Sequence, residues 1–324
     1  MVQSMRRRTL LGAAVGFAAP AIVQAESYPA HTVRVVNAYS PGGTADVVCR
    51  ILCQALSEKL GQTFAVDNKP GAAGTVAAQI VARAPADGYT LLYDATAQSV
   101  NPSLFGNKLP YDTRRDLLPV FLSMQTPNTL MRNAQFEART VPELIALAKS
   151  KPGVLDCAST GVGTVQHVSL ELLNQRAGIK INHVPYKEMG AVRNDLYAGR
   201  VPLQFSNVPG TVAVRSAKEV SCMAHTGPKP IDVLPGIHGI AEVLLGFETW
   251  EWNGVFAPKG TDAGMIAKLN ADMNAVFAVP ATAQRLAELG ALARTNTVAE
   301  FTDFREKQIA FFAGMVKAAN IHIE

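Results

Sequence analysis

Short apolar runs alternate along this chain with longer stretches whose apolar positions recur at three- and four-residue spacing. The runs at 32–38, 64–67 and 90–95 predict strands, and residues 46–60 and the segment after Gly74 predict the helices between them. This β-α-β-α-β order argues for a mostly parallel sheet covered by helices. Asp87-Gly88 supplies a turn before the third strand, and Pro70 to Gly74 a glycine entry to the second helix.

After a less regular region at 101–112 and an apolar run at 117–123, the pattern repeats: helix 141–150, strand 155–158, helix 165–176, strand 181–184, helix 189–198, strand 203–206. A strand-like cluster at 248–257 precedes a helix at 265–277 and a long amphipathic stretch at 298–320. Two α/β units followed by a helical tail predict two lobes and a chain that returns to the first. We assign 26–125 with 250–324 to lobe 1 and 126–249 to lobe 2, with a cleft between them.

The chain has 324 residues, 48% hydrophobic and 17% charged, enough for two cores. Residues 1–25 stand apart: Arg6, Arg7 and Arg8, a short apolar stretch and a Val-Gln-Ala end read as an export signal, either twin-arginine or Sec. That predicts a periplasmic protein. Removing those arginines takes the formal net charge from +4 to +1, so the basic balance belongs to the signal and a nucleic-acid partner loses its support. Cys49 and Cys53, four apart on a predicted helix, read as small core residues. No Cys/His spacing resembles a zinc site, and no cofactor is expected.

Two strand-turn-helix motifs match one another. The first is Ser40-Pro-Gly-Gly-Thr-Ala-Asp46 and the second Ser159-Thr-Gly-Val-Gly-Thr-Val-Gln-His167. Glycine lets the backbone bend towards a ligand, Thr44 or Thr164 fits the N-cap, and a helix start with unpaired N–H groups suits an anion. Neither motif is a dinucleotide fingerprint or a P-loop, and the chain has no nucleophile elbow, so nucleotide binding and hydrolysis both lose ground. Asp46 either complements its own helix or faces a ligand ammonium or a water. His167 satisfies local backbone groups or touches the ligand. Trp250 and Trp252 read as packing between the lobes.

An ordered set of segments resembles the Bug-type extracytoplasmic solute receptors of the tripartite tricarboxylate transport class. It comprises Tyr28-Pro, Pro41 to Asp46, Asp87-Gly-Tyr-Thr-Leu-Leu92, Asn101-Pro-Ser-Leu-Phe105, Leu109-Pro-Tyr-Asp112 and Arg115-Asp-Leu-Leu-Pro-Val120. It continues with Gly161 to His167, His183-Val-Pro-Tyr-Lys187, Phe205-Ser-Asn207, Trp252-Asn-Gly-Val-Phe-Ala257 and Ala318-Ala-Asn-Ile321. The resemblance implies a two-lobed periplasmic binding protein fold, type II-like, that is no enzyme and closes on a small mono-, di- or aromatic carboxylate. It implies a monomer serving membrane transporter subunits, with a sensor for a membrane signalling system as the alternative. The implied site comprises Tyr39, Ser40, Gly42, Gly43, Thr44 and Asp46 in the first loop and Ser159, Thr160, Gly163, Thr164 and His167 in the second. Thr96, Gln98 and Asn207 border it. Glu188 and Pro202 depart from the family pattern, and so does the stretch from Leu234 to Glu242, without removing either loop.

Overall fold

Strand β1 (Val33–Asn37), helix α1 (Thr44–Leu60), strand β2 (Phe64–Asn68), helix α2 (Thr75–Ala82) and strand β3 (Thr90–Ala95) form the first β-α-β-α-β unit of the computed structural model, which describes residues 28–186, 188–291 and 295–318. The segment read above as an export signal, Lys187 and the closing residues after Ala318 lie outside the described residues. β1 runs parallel to both neighbours, with Val35 opposite Val66 on one side and Leu91 on the other. α1 buries Val48, Cys49, Leu52, Cys53 and Leu56, the three- and four-residue stripe that predicts it. It ends at Gly61, whose left-handed backbone (φ 68°) returns its N–H to the Ser57 carbonyl at 3.0 Å.

Helix α3 (Ala97–Phe105) and strand β4 (Leu117–Asn133) lead into helix α4 (Val141–Ser150), strand β5 (Asp156–Ser159), helix α5 (Val165–Ala177), strand β6 (Asn182–Pro185), helix α6 (Met189–Tyr197) and strand β7 (Leu203–Asn207). Helix α7 (Val208–Val212) and strand β8 (Val220–His225) complete this second unit. Strand β9 (Trp250–Pro258) and helices α8 (Ala263–Phe277), α9 (Pro280–Glu288) and α10 (Val298–Ala318) follow. The strand order β2-β1-β3-β9-β4-β7-β5-β6, with β8 also on β4, makes β4 the strand shared by the two groups of strands. From Leu117 to Pro127 it pairs antiparallel with β9; from Asn128 to Asn133 it pairs with β7 and β8.

The sequence pattern ends this strand at residue 123, ten residues short of Asn133. Gln125, Thr126 and Asn128 look like loop residues because they are polar, yet they lie inside a ladder, Gln125 and Thr126 opposite Trp252 and Glu251 of β9 and Asn128 opposite Asn207 of β7. The change of partner falls at Pro127, which lacks an N–H to give. The Asn128 N–H beyond it goes to the Thr226 hydroxyl at 2.8 Å. The segment at 101–112 is more regular than its composition suggests, since α3 holds its helix across Pro102, with Val100 and Leu104 packed into the second core.

Two apolar clusters flank the β4–β9 pair on the first side, one under α1 and α8 and one around Trp252, Phe256 and Phe301. A third fills the second lobe. Trp252 is wholly buried with its ring edge-on to Phe301 at 5.8 Å, which is the packing role expected of it. α10 joins the lobes: Phe301 near its start belongs to the first side, and Phe312, Met315 and Val316 belong to the second. All four cysteines are free thiols, with Cys49 and Cys53 in the first core. Among the described residues no helix is long and apolar enough to cross a membrane.

Candidate functional site

The first loop turns at Gly42, whose φ of 84° is left-handed, and enters α1 through Gly43. Gly43, extended at φ −77° and ψ 166°, is the N-cap, which corrects the assignment of Thr44 to that position; Thr44 is the first helical residue. No side chain caps the helix, and its first backbone bond runs from Val47 N–H to the Gly43 carbonyl at 3.0 Å. The amides of Thr44, Ala45 and Asp46 therefore point out of the helix end with no acceptor among the described residues.

Asp46 is buried and serves its own loop. Its carboxylate accepts from Gly42 N–H (3.0 Å), Arg50 Nε (2.8 Å), Asn37 Nδ2 (3.1 Å) and Asn68 Nδ2 (2.7 Å). Burial works to raise its pKa, and the bonds from Arg50, Asn68 and Gly42 outweigh it and hold the carboxyl below the usual range. Asn37 and Asn68 also bind the Tyr39 backbone, at its N–H and its carbonyl. Tyr39 is thus fixed, while Ser40, Gly42 and Gly43 stay exposed around the helix start.

The second loop repeats this construction with different chemistry. Gly163, also left-handed (φ 76°), donates its N–H to His167 Nδ1 at 3.1 Å, four residues ahead, as Gly42 does to Asp46. Thr164 is the N-cap of α5, its hydroxyl accepting from His167 N–H at 3.3 Å and donating to the Gly161 carbonyl at 2.9 Å. Ser159 holds the turn through Gly161 and lies 2.6 Å from His183 Nε2. The His183 ring stacks on His167 at 3.7 Å. Burial pushes His167 down to about 3 and His183 down to about 4, so both rings are neutral at ordinary pH. Thr160 lies half-buried in the same turn. The amides of Val165 and Gln166 keep no acceptor among the described residues.

Three further elements meet between the loops. At the end of β3, Asp94 is wholly buried and accepts from Ala95 N–H (2.8 Å) and Gln98 Nε2 (2.5 Å); burial pushes it up to about 7 against those bonds. Gln98 also reaches the Tyr111 hydroxyl, and the Thr96 hydroxyl accepts from Trp252 N–H at 3.2 Å. On β9, half-buried Glu251 accepts from Gln166 Nε2 (2.9 Å) in the first turn of α5 and from Asn207 Nδ2 (3.1 Å) at the end of β7. Burial raises Glu251 too, and Asn207 and Gln166 oppose the shift. Asn207 is committed twice, since its Oδ1 caps α7 by accepting from Gly210 N–H at 2.7 Å. Burial raises the Tyr39 phenol, and the charges of Asp94 and Glu251 add to the rise.

The structure thus ties Gly42 to Asp46, Gly163 and Thr164 to His167, and Asn207 to a crossing strand. Sequence reasoning missed Asn37, Asn68, Asp94, Gln166, His183 and Glu251. Glu251 left a signal, an acid between two tryptophans in an otherwise apolar strand; Asn37 left a similar one as the polar end of a valine strand. A separate crevice in the second lobe, lined by Met131, Met189, Arg193, Gln204, Thr211 and Val214, belongs to α6 and α7 and not to the paired loops.

Known proteins share this fold. A solved structure of R. palustris Rpa4515 with adipate superposes with a TM-score of 0.84 at 31% identity, covering 91% of this chain and 99% of that one. MatC from Rhodopseudomonas palustris with bound malate gives 0.80 at 29%, covering 89% and 100%. Protein BugT of Bordetella pertussis is 32% identical over 310 residues, 94% of each chain. The model of the tripartite tricarboxylate transporter family receptor matches residues 48–320, which takes in α1 from Val48 onward and everything from there through the end of α10. With that span matched and the two-lobed fold shared, the chain belongs to the tripartite tricarboxylate transporter family of receptors, solute-binding proteins and not enzymes.

Proposed function

We propose that this protein is a periplasmic receptor that captures a small carboxylate between the loop at 39–46 and the loop at 159–167 and presents it to a tripartite transporter. The observation that carries the reading is the pairing of two helix starts, α1 and α5, each with amides that no group among the described residues claims. Adipate and malate in the solved relatives support the ligand class. Charge-assisted bonds from amides contribute about 1.5–3 kcal/mol each, and a few of them reach micromolar affinity, about −8 kcal/mol, after ordering costs.

In this reading the lobes divide as 26–125 with 250–324 and 126–249, residues 1–25 direct export, and the receptor works as a monomer without cofactor. The hinge is the β4–β9 pair, and the closed form wins because the ligand touches both loops only there. A thermal-shift screen tests it. At one hundred times the dissociation constant a ligand adds about 2.7 kcal/mol, which lifts the melting temperature by roughly 5 °C. Such a rise with a mono-, di- or aromatic carboxylate is expected. A response to sugars or cationic solutes, with none to carboxylates, would refute the reading.

A further inference from the structure

The second loop is pinned at two points by two rings that lean on each other. Gly161 (φ 134°) and Gly163 (φ 76°) both take backbone conformations that favour glycine, so the turn between them has no side chain of its own to hold it. Ser159 holds the near end, its hydroxyl accepting from Gly161 N–H at 3.1 Å and lying 3.1 Å from the Gly161 carbonyl. His183 on β6 fixes that hydroxyl in turn, with Nε2 2.6 Å from Oγ. His167 holds the far end by accepting from Gly163 N–H.

The bond from Gly163 sets a tautomer. A neutral ring that accepts at Nδ1 carries its proton on Nε2, and Nε2 of His167 faces the Glu171 carboxylate one turn along α5, 3.7 Å away. His183 covers the face of this ring, with the centroids 3.7 Å apart and the planes 9° from parallel. One residue on β6 thus reaches both pins, Ser159 with its edge and His167 with its face. Burial keeps both rings neutral, so the stack carries no like-charge repulsion.

The turn matters because α5 begins where it ends. Thr164, the cap of α5, donates its hydroxyl to the Gly161 carbonyl at 2.9 Å, so the cap and the amides of Val165 and Gln166 beyond it follow the turn. A loop ordered before the solute arrives loses less entropy on binding. We infer that His183 is a positioning residue for solute capture, acting through Ser159 and His167 to hold the turn at 161–163 and with it the start of α5. The effect on affinity rests on the carboxylate reading above, and the effect on order rests on the geometry of the turn alone.

Two substitutions in the full-length mature protein separate the contacts. His183→Phe keeps a ring against His167 and drops the nitrogen; His183→Gln keeps a nitrogen within reach of Ser159 and drops the ring. Amide exchange, followed by NMR without ligand, is expected to speed up about ten-fold at Gly161 in His183→Phe and to stay within about three-fold at Gly163, and His183→Gln is expected to do the reverse. Both variants are expected to bind adipate or malate about ten-fold more weakly in isothermal titration. Exchange unchanged at both glycines, or raised evenly across the second lobe, would overturn the inference and mark His183 as ordinary packing. A loosened turn with unchanged affinity would overturn its role in capture and leave the carboxylate reading standing. Should either variant not fold, the imidazole nitrogens of the wild type decide: a bare Nδ1 on a neutral His167 supports the clamp, and a proton on that Nδ1, or titration near the ordinary value of about 6.5, overturns it. If the wild type binds neither acid nor any carboxylate of the thermal-shift screen, the carboxylate reading falls and the capture role with it, while the exchange pattern still decides whether His183 orders the turn.

Discussion

Replacing Asp94 by asparagine should make the protein more stable relative to wild type as pH rises, by about 4 kcal/mol between pH 4 and pH 8. Asp94 is wholly buried at the end of β3 and lacks a cation partner among the described residues, and burial pushes its carboxyl up to about 7. The unfolded chain titrates it near 3.9. A folded pKa above the unfolded one contributes stability that is fully present below about pH 4 and is lost as pH climbs through 7. Each unit of that shift corresponds to about 1.4 kcal/mol. Asparagine keeps an oxygen for Ala95 N–H, and its amide can turn to the Gln98 Oε1 that has no donor in the wild type. The stacked His167 and His183 pull the other way. Their depressed values mean stability that is present above about 6.5 and lost as pH falls, so the pH curve of the wild type alone does not isolate Asp94. Both proteins carry the histidines, and the difference between their urea midpoints removes that contribution. A difference that stays flat from pH 4 to pH 8 would show that Asp94 is solvated or paired.

The glycine turn into α1 was legible because its causes are local: a valine strand, two glycines and a helical stripe all lie within one short segment. The same holds for α5, where Thr164 caps as its position predicts. What Asp46 does was not legible, because Asn37 and Asn68 lie on two different strands and meet its carboxylate only after β1 and β2 have paired. Glu251 shows the same limit at greater range, its partners Gln166 and Asn207 standing 85 and 44 residues away in the chain. The cap at α1 failed for a different reason. The preference of threonine for that position is real, but Gly42 in the left-handed region sets the chain entry one residue earlier and spends its own N–H on Asp46. In both loops, then, the left-handed glycine gives its amide to a side chain one helical turn ahead, and the first amides of the helix have no acceptor among the described residues.

That equivalence allows the two loops to be separated by experiment. Gly42→Ala and Gly163→Ala both force a side chain into the left-handed region, at φ 84° and 76°, which costs about 1–2 kcal/mol in each. Their surroundings differ. A β-carbon on Gly42 meets nothing within 4 Å, whereas one on Gly163 would fall inside the Leu104 side chain of α3. Leu104 packs against the second core, so it does not simply swing away, and overpacking adds about 1–3 kcal/mol. We therefore expect Gly42→Ala to destabilise by about 1–2 kcal/mol and Gly163→Ala by about 2–5 kcal/mol, measured by urea unfolding. Combining Gly163→Ala with Leu104→Ala should recover the steric part, a coupling of about 1–3 kcal/mol in a double-mutant cycle. An additive cycle would mean that α3 does not hold the second loop. The coupling matters for binding, because α3 also carries Gln98 against Asp94. If Leu104 holds Gly163 in place, the second loop and the first-lobe acid are positioned by one helix. Loss of that contact should then weaken carboxylate binding beyond what the change in stability accounts for.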